Sequence, residues 1–418
     1  MKSKLADFNF FYSLFLPAVG FGVRCHYRSI TIRGRENVPW GEHFIIAPCH
    51  QNALMDPMLI LQMTHKPTAF LARADIFQKP VANFFLTWLR IMPIYRIRDG
   101  RDQLSRNEDI FRKSQEVLLH DMPLCLMAEG THNHLHQLLP LVKGMFRIAG
   151  ATQLELGDKP LYILPVGLDY DDYEALGQSV CVNIGKPIDV RQYMDEYRDH
   201  EPVALNHMRA DLTAALKGQI HEVFAREQYD DEYAYCHLMT QETLRAQHLR
   251  NTPWNRFLVR KQLSDQMPAL SDEQRAQCYA DGAAYARECR RRGLPLWFAS
   301  KGWTCGKSLL AAAALLAFAA LMAFVPHLLK YYLLSNLVVF LPTHLFPKYK
   351  IKDPQFRSSV NYGIRLVLHL LYLIAILIVF ACTRGLLFGI AMLLLGMASA
   401  YITPRLFFLL RDIYYSLK

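Results

Sequence analysis

Three almost uninterrupted apolar runs sit near the C-terminus: "SLLAAAALLAFAALMAFVP" from Ser308, "GIRLVLHLLYLIAILIVFAC" from Gly363 and "GLLFGIAMLLLGMASAYI" from Gly385. Each approaches the roughly 20 residues that a helix needs to cross a bilayer. A fourth run, "LLKYYLLSNLVVFLPTHLF" from Leu328, is weaker because Lys330 and Pro342 interrupt it. The four together predict a C-terminal bundle of about four transmembrane helices, with both flanks on one side. The loop "PKYKIKDPQFRSS" between the second and third crossings is rich in Lys and Arg, which predicts the cytoplasmic side. The chain ahead of the bundle is expected to face the cytoplasm too.

Composition agrees with a membrane location. The chain is 52% hydrophobic and still carries a formal net charge of +10. That pairing suits a protein in or on an anionic membrane. Nucleic acid is the rival partner for a basic chain, but no nucleic-acid module is recognisable, so none is expected to bind. Nine cysteines are scattered without a Cys-x-x-Cys pair, and several, such as Cys125 and Cys382, lie in apolar runs. They read as small buried hydrophobes in a reducing compartment, with no need for disulfides. The opening stretch "FNFFYSLFLPAVGFGV" follows Lys2 and Lys4 but lacks a small-residue cleavage site, and Pro17 weakens it as a span. It is expected to lie in the interface as an anchor.

Residues 1–28 are therefore an N-terminal anchor. From 29 to 190 short β-rich runs alternate with helical patterns, which predicts an α/β domain, a mixed sheet flanked by helices. The strand runs are "SITIRG", "HFIIAPC", "MPIYRI", "PLCLMA", "LYILPVGLD" and "VCVNIG". A helix over Asp102 to His120 carries a capping-box pattern in Ser105 and Glu108. Residues 191–301 are polar and helical, and nothing in them looks catalytic. Ser271 and Gln274 form a second capping box there, and "RECRRRG" ends its helix with Gly293 as the cap. Residues 302–418 are the membrane domain.

Within "APCHQNALMDP", His50 ends an apolar strand, so its ring emerges at a sheet edge, where α/β proteins place ligands. Asp56 precedes Pro57 and an apolar helical pattern, so the aspartate is expected to cap that helix with proline at its first position. The plain reading is a helix cap beside an ordinary loop histidine. The functional reading is that the loop folds His50 back on Asp56. The carboxylate would then fix the ring tautomer and leave the other nitrogen as a general base. Two further strand ends add chemistry. "MAEGTHNHLHQLLPLVKG" places Glu129 and Gly130 at one, with Lys143 further along, and "PIYRIR" gives Arg96 at another. A glycine turn lets backbone amides approach an anion. A base, a carboxylate, an arginine and a glycine turn at three strand ends describe a site for a phosphate-bearing alcohol.

These blocks, in order over about Ile30 to Asp189, resemble the glycerolipid acyltransferase family, which contains glycerol-3-phosphate and lysophosphatidic acid acyltransferases. "ITIRGRENVPWGEHFIIAPCHQ" looks like the lead-in to the family's His–Asp motif, and "IMPIYRIR" like its phosphate-binding block. "MAEGTHN…LLPLVKG" is similar to the third block, usually Pro-Glu-Gly-Thr-Arg, and "YILPVGL" with "VNIGKPID" to the fourth. The family has four residues between His and Asp, whereas Gln51 to Met55 make five here. Ala128 stands in place of the proline, and His132 in place of the arginine. These departures resemble the fungal-type glycerol-3-phosphate/dihydroxyacetone-phosphate acyltransferases, which also share "LLPL" and a C-terminal membrane region.

The resemblance implies transfer of a fatty acyl group from acyl-CoA or acyl carrier protein to the hydroxyl of a glycerol phosphate, as in phospholipid biosynthesis. His50 and Asp56 would be catalytic; Arg96, Glu129, Gly130, Thr131 and Lys143 would bind substrate. No cofactor and no metal are expected, since a thiolate leaves readily. Membrane lipids, the acyl donor and the glycerol phosphate acceptor are the implied partners. Two other readings stay open: a CoA-independent transacylase using the same pair, and a non-enzymatic lipid-binding or transport protein. "HNHLH" (His132, His134, His136) spaces histidines like a metal site but reads as a polar loop. "GWTCGKS" is one residue short of a phosphate loop and follows no strand. In the expected crossing from Gly363, Arg365 is expected to snorkel, and His369 is read as a candidate functional polar site.

Overall fold

The six β-rich runs all fold as strands, and the structure adds two more. The computed structural model describes residues 9–64, 66–95, 106–131, 133, 135–303, 305–324, 339, 351 and 356–418. In it β1 is Ser29–Arg33, β2 His43–Pro48, β3 Ala69–Arg73, β4 Ile91–Ile94, β5 Leu124–Cys125, β6 Leu161–Tyr170, β7 Ser179–Ile184 and β8 Ile188–Asp189. They form one sheet of order β1-β7-β6-β2-β5-β3-β4, with β8 paired to β6. Strands β2, β5, β3 and β4 run parallel to their neighbours, as does β6 to β2, while β8 is antiparallel to β6. The expected mixed sheet with flanking helices is thus observed.

Position in the sheet explains the residues. β2 is interior, and Phe44 to Ala47 are at most 1% exposed, an unbroken apolar run suited to a strand covered on both faces. β4 is an edge, so Pro93, which has no N–H to donate, is tolerated in it. β5 is shorter than "PLCLMA", yet Leu126 and Ala128 still donate to the carbonyls of Ile46 and Pro48 at 3.0 and 3.2 Å, prolonging the contact with β2.

The chain divides into two compact units: Met1–Pro17, Ile32–Asp169 and Cys181–Ile220 form one, and Ala18–Thr31, Tyr170–Val180 and His221–Lys418 the other. Helix α1 is Phe10–His26. In the first unit, α2 (Met55–Met63), α3 (Pro80–Trp88), α4 (Arg106–Leu119), α5 (Gly144–Leu156) and α6 (Met194–Lys217) accompany the sheet. The core gathers Ile45, Leu124 and Ile163 from strands, Val117 from α4, Phe146 and Ala149 from α5, and Met208, Leu212 and Leu216 from α6. The α6 residues recur every four positions, which is the spacing of one helix face. Glu108 lies in the first turn of α4; its expected capping partner Ser105 lies outside the described residues.

In the second unit α7 (Tyr229–Ala246), α8 (Pro253–Gln266) and α9 (Asp272–Arg292) precede α10 (Cys305–Phe324), α11 (Arg357–Arg384) and α12 (Leu386–Ser416). The capping box at α9 forms as expected: the Gln274 amide donates to Ser271 Oγ, and the Ser271 amide to the Gln274 side chain. Gly293 closes the helix at φ +62°. A single residue, Gly385, joins α11 to α12. At Gly389 an added Cβ would lie 2.9 Å from Leu377 O, so the two helices approach closely there.

Of the four expected crossings, two helices among the described residues are long and apolar enough to span a membrane: α11, with mean hydropathy 2.7, and α12, with 2.0. The run from Ser308 folds as α10, in which Gly306–Met322 is a continuous apolar stretch. The run from Leu328 lies outside the described residues, apart from Val339. Among the described residues seven cysteines are buried, but Cys382 is exposed. The expectation fails for Cys382 because it lies in the apolar stretch of α11, only 6% of which is buried, so an apolar neighbourhood in sequence does not mean the interior.

Candidate active site

β2 ends at Pro48, and the next two residues carry the chain off the carboxyl edge of the parallel strands. His50 Nδ1 lies 2.8 Å from Asp56 Oδ2. The carboxylate oxygen is an acceptor, so Nδ1 carries the hydrogen and Nε2 is the ring's basic atom. The same Oδ2 also accepts the backbone amides of Gln51 and Asn52, each at 2.8 Å. Asp56 is fully buried, while the His50 side chain keeps 16% of its surface exposed. One oxygen with three N–H donors holds the carboxylate, the loop and the ring in a fixed relation.

The plain reading of Asp56 as a helix cap does not hold. Helix α2 begins one residue earlier, at Met55, and Leu54 occupies the cap position without a side-chain hydrogen bond. Asp56 sits inside the first turn and turns back to the loop rather than capping the helix. The longer spacer is accommodated by a tight turn in which the Met55 amide donates to Asn52 O at 2.8 Å. Ala53 adopts φ +39° within it, a left-handed conformation uncommon for a residue with a Cβ.

Glu129 ties this loop to the neighbouring strand end. Its Oε1 accepts the His50 amide at 2.7 Å, and its Oε2 accepts the Leu139 amide at 2.8 Å. It is 3% exposed. The Asn133 amide donates to His50 O at 3.1 Å, a second bond from the same segment. Cys49, adjacent to His50 in sequence, is fully buried and accepts the Leu168 amide at 3.1 Å. Burial, reinforced by the Glu129 and Asp56 carboxylates, pushes its thiol well above the ordinary range. A protonated, enclosed thiol is a poor nucleophile.

Residues 29–169 match the family model described as Acyltransferase. This segment is an acyltransferase domain. Its span contains the whole hydrogen-bonded cluster of His50, Asp56, Glu129 and Asn133. No curated protein matches the chain. The crystal structure of the 1-acyl-sn-glycerophosphate (LPA) acyltransferase, PlsC, from Thermotoga maritima is similar at 21% identity and a TM-score of 0.31, covering 46% of this chain and 80% of that chain.

The remaining sequence-derived residues of the acyltransferase domain fall as follows. Gly130 has φ +64°, and a Cβ there would meet Val142 Cγ1 at 2.7 Å, so both conformation and space require glycine. The Val142 amide donates to Ala128 O at 2.9 Å. Lys143, the next residue, stands exposed at the start of α5. Thr131 is exposed in the same turn. Arg96, His132 and His134 lie outside the described residues. His136, expected in a polar loop, is 2% exposed. Sequence reasoning did not find the Leu139 amide or the Leu168 amide. Each is a backbone donor inside a segment chosen for its side chains ("LLPL", "YILPVGL"), and a backbone group leaves no residue-type signal.

Proposed function

We propose that this protein transfers a fatty acyl group from acyl-CoA or acyl carrier protein to the hydroxyl of a glycerol phosphate, either glycerol 3-phosphate or 1-acylglycerol 3-phosphate. The single observation that carries the reading is the 2.8 Å contact between His50 Nδ1 and the buried Asp56 carboxylate within the acyltransferase domain. His50 Nε2 takes the hydroxyl proton as that oxygen attacks the thioester carbonyl. Collapse of the tetrahedral adduct breaks the C–S bond, and the thiolate recovers the proton from the imidazolium. General-base assistance of this kind gives a factor of about 10²–10⁴. Asp56 stabilises the imidazolium and fixes its orientation.

Arg96, Gly130, Thr131 and Lys143 are assigned to the acceptor phosphate, on the strength of their motif positions and the glycine turn. Glu129 is assigned to positioning, because its two oxygens hold the His50 and Leu139 amides. The five-residue spacer and His132 favour the fungal-type branch of the family. The apolar α11 and α12 support a membrane location, which suits a long-chain acyl donor, and the basic loop supports a cytoplasmic domain. Purified full-length protein assayed with labelled acyl donor against glycerol 3-phosphate, dihydroxyacetone phosphate and 1-acylglycerol 3-phosphate tests the proposal. Transfer to one of them, lost in His50→Ala, is expected. Folded protein that acylates none of the three would overturn it.

A further inference from the structure

The second unit buries an excess of positive charge around a single tryptophan. Asp171 is committed to two arginines: Arg256 donates to it at 2.6 and 3.1 Å and Arg260 at 3.0 Å. Asp412, fully buried in α12, pairs with Arg28 at 2.6 Å and lies 3.8 Å from Arg411. Asp172 accepts the amides of Glu174 and Ala175 and is pushed up by burial. Beside these four arginines, a fifth cation, Lys301, has no carboxylate within ion-pair distance among the described residues. Lys301 is 9% exposed, and among the described residues its Nζ has no hydrogen-bond acceptor. The same holds for Arg411 Nη2 and Arg28 Nε.

Two aromatic rings link the three side chains. Lys301 Nζ lies 4.4 Å from the ring centre of Trp297, and the Arg411 guanidinium carbon 4.6 Å from the same ring. Arg28 and Arg411 each stand 5.5 Å from the Phe408 ring. Aromatic faces attract cations, but they supply no lone pair to replace lost water. Burial, then Arg28, pulls the Lys301 amine down to about 7, against the opposing pull of Asp412 and Asp171; Arg411 adds to the lowering. Lys301 stands just ahead of α10, and Arg411 is in the last turns of α12, so the cluster lies where two apolar helices end.

We propose that Lys301, Arg411 and Arg28 line a binding site for a phosphate ester anion, one that acyl transfer at His50 does not use. Three unsatisfied donors of two kinds suit a tetrahedral oxyanion, which accepts from all of them at once. A phospholipid headgroup and a free phosphate share that chemistry.

Thermal unfolding of the full-length protein in neutral detergent separates the outcomes. Without anion, Lys301→Met should be at least as stable as the parent, because it removes a buried ammonium that has no acceptor. Phosphatidylglycerol added to the micelles should raise the melting temperature of the parent by several degrees and that of Lys301→Met and Arg411→Gln by far less, with native mass spectrometry counting the retained lipid. Should Arg411→Gln not fold, Lys301→Met carries the comparison alone. The phosphatidylglycerol affinity of the parent should weaken by about tenfold or more between pH 6 and pH 9, as Lys301 loses its proton, and stay flat in Lys301→Met. A rise with inorganic phosphate alone, absent in Lys301→Met, would support the site and identify free phosphate as its source. Equal gains in parent and Lys301→Met, or no gain with either probe, would overturn the proposal.

Discussion

The backbone amide of His50 donates to Glu129 Oε1 at 2.7 Å, so a carboxylate just beyond β5 fixes the main chain of the residue proposed to take the proton. The other oxygen of the same group holds the Leu139 amide. Glu129 thus bridges two strand-end segments that are distant in sequence, and the rigidity of the pair depends on it.

Glu129→Gln replaces one acceptor oxygen with a donor that faces an N–H. A hydrogen bond to a charged group is worth about 1.5–3 kcal/mol. Steady-state kinetics should show kcat reduced by about 10–100-fold with little change in the acceptor KM, and Glu129→Asp should not restore it fully. A large rise in acceptor KM at unchanged kcat would instead make Glu129 a phosphate-side residue.

Asp56→Asn should be more damaging than its small change in shape suggests. The amide cannot stabilise an imidazolium as a carboxylate does, and it can present a donor where Oδ2 now accepts three N–H groups. Acyl transfer should fall by about 10²–10⁴-fold, as for loss of general-base catalysis. Circular dichroism should show the fold retained. Near-normal turnover in the variant would remove Asp56 from the mechanism.

Ala53 is the residue that absorbs the extra spacer position, at φ +39°. Left-handed backbone costs an L residue about 1–2 kcal/mol. Ala53→Gly should therefore leave stability unchanged or raise it by up to about 1 kcal/mol, and Ala53→Val should lower it by more than that. Denaturant titration of both variants checks the sign. Activity should follow the Val variant downward, since Gln51 and Asn52 supply the amides that hold Asp56.

Lys301 gives a pH signature in the absence of anion. An unfolded lysine titrates near 10.4, and the folded one near about 7. Between those values the unfolded chain binds more protons, so stability should rise with pH across that window and reach its full Lys301 contribution above it. Arg28, Arg411, Asp412 and Asp171 are the charges that set the folded value. Unfolding of the parent and Lys301→Met compared at pH 7 and pH 9.5 should show the slope in the parent and a flatter profile in the variant.

What was legible in the sequence was whatever local chemistry dictates. The six strand runs, the Ser271–Gln274 capping box, the Gly293 cap and the apolar lengths of α11 and α12 each depend on neighbours within a few residues. The proposed pairing of His50 with Asp56 was also legible, because six positions is within reach of a closing loop. β3 was missed because "TAFLARAD" has no strict alternation; it is a strand through pairing with β4 and β5. The role of Asp56 was half read, since helix-start statistics point to a cap, whereas the fold turns its carboxylate back to three loop donors. Glu129 stands out in the sequence for the glycine turn beside it, but what it holds is the His50 amide, 79 positions away in sequence. Sequence alone determined six of the strands, the ends of α9 and the apolar lengths of α11 and α12, because those free energies are local. Only tertiary structure decided which carboxylate steadies which backbone and which cations are buried together, because desolvation and hydrogen bonding depend on neighbours that the chain brings together only by folding.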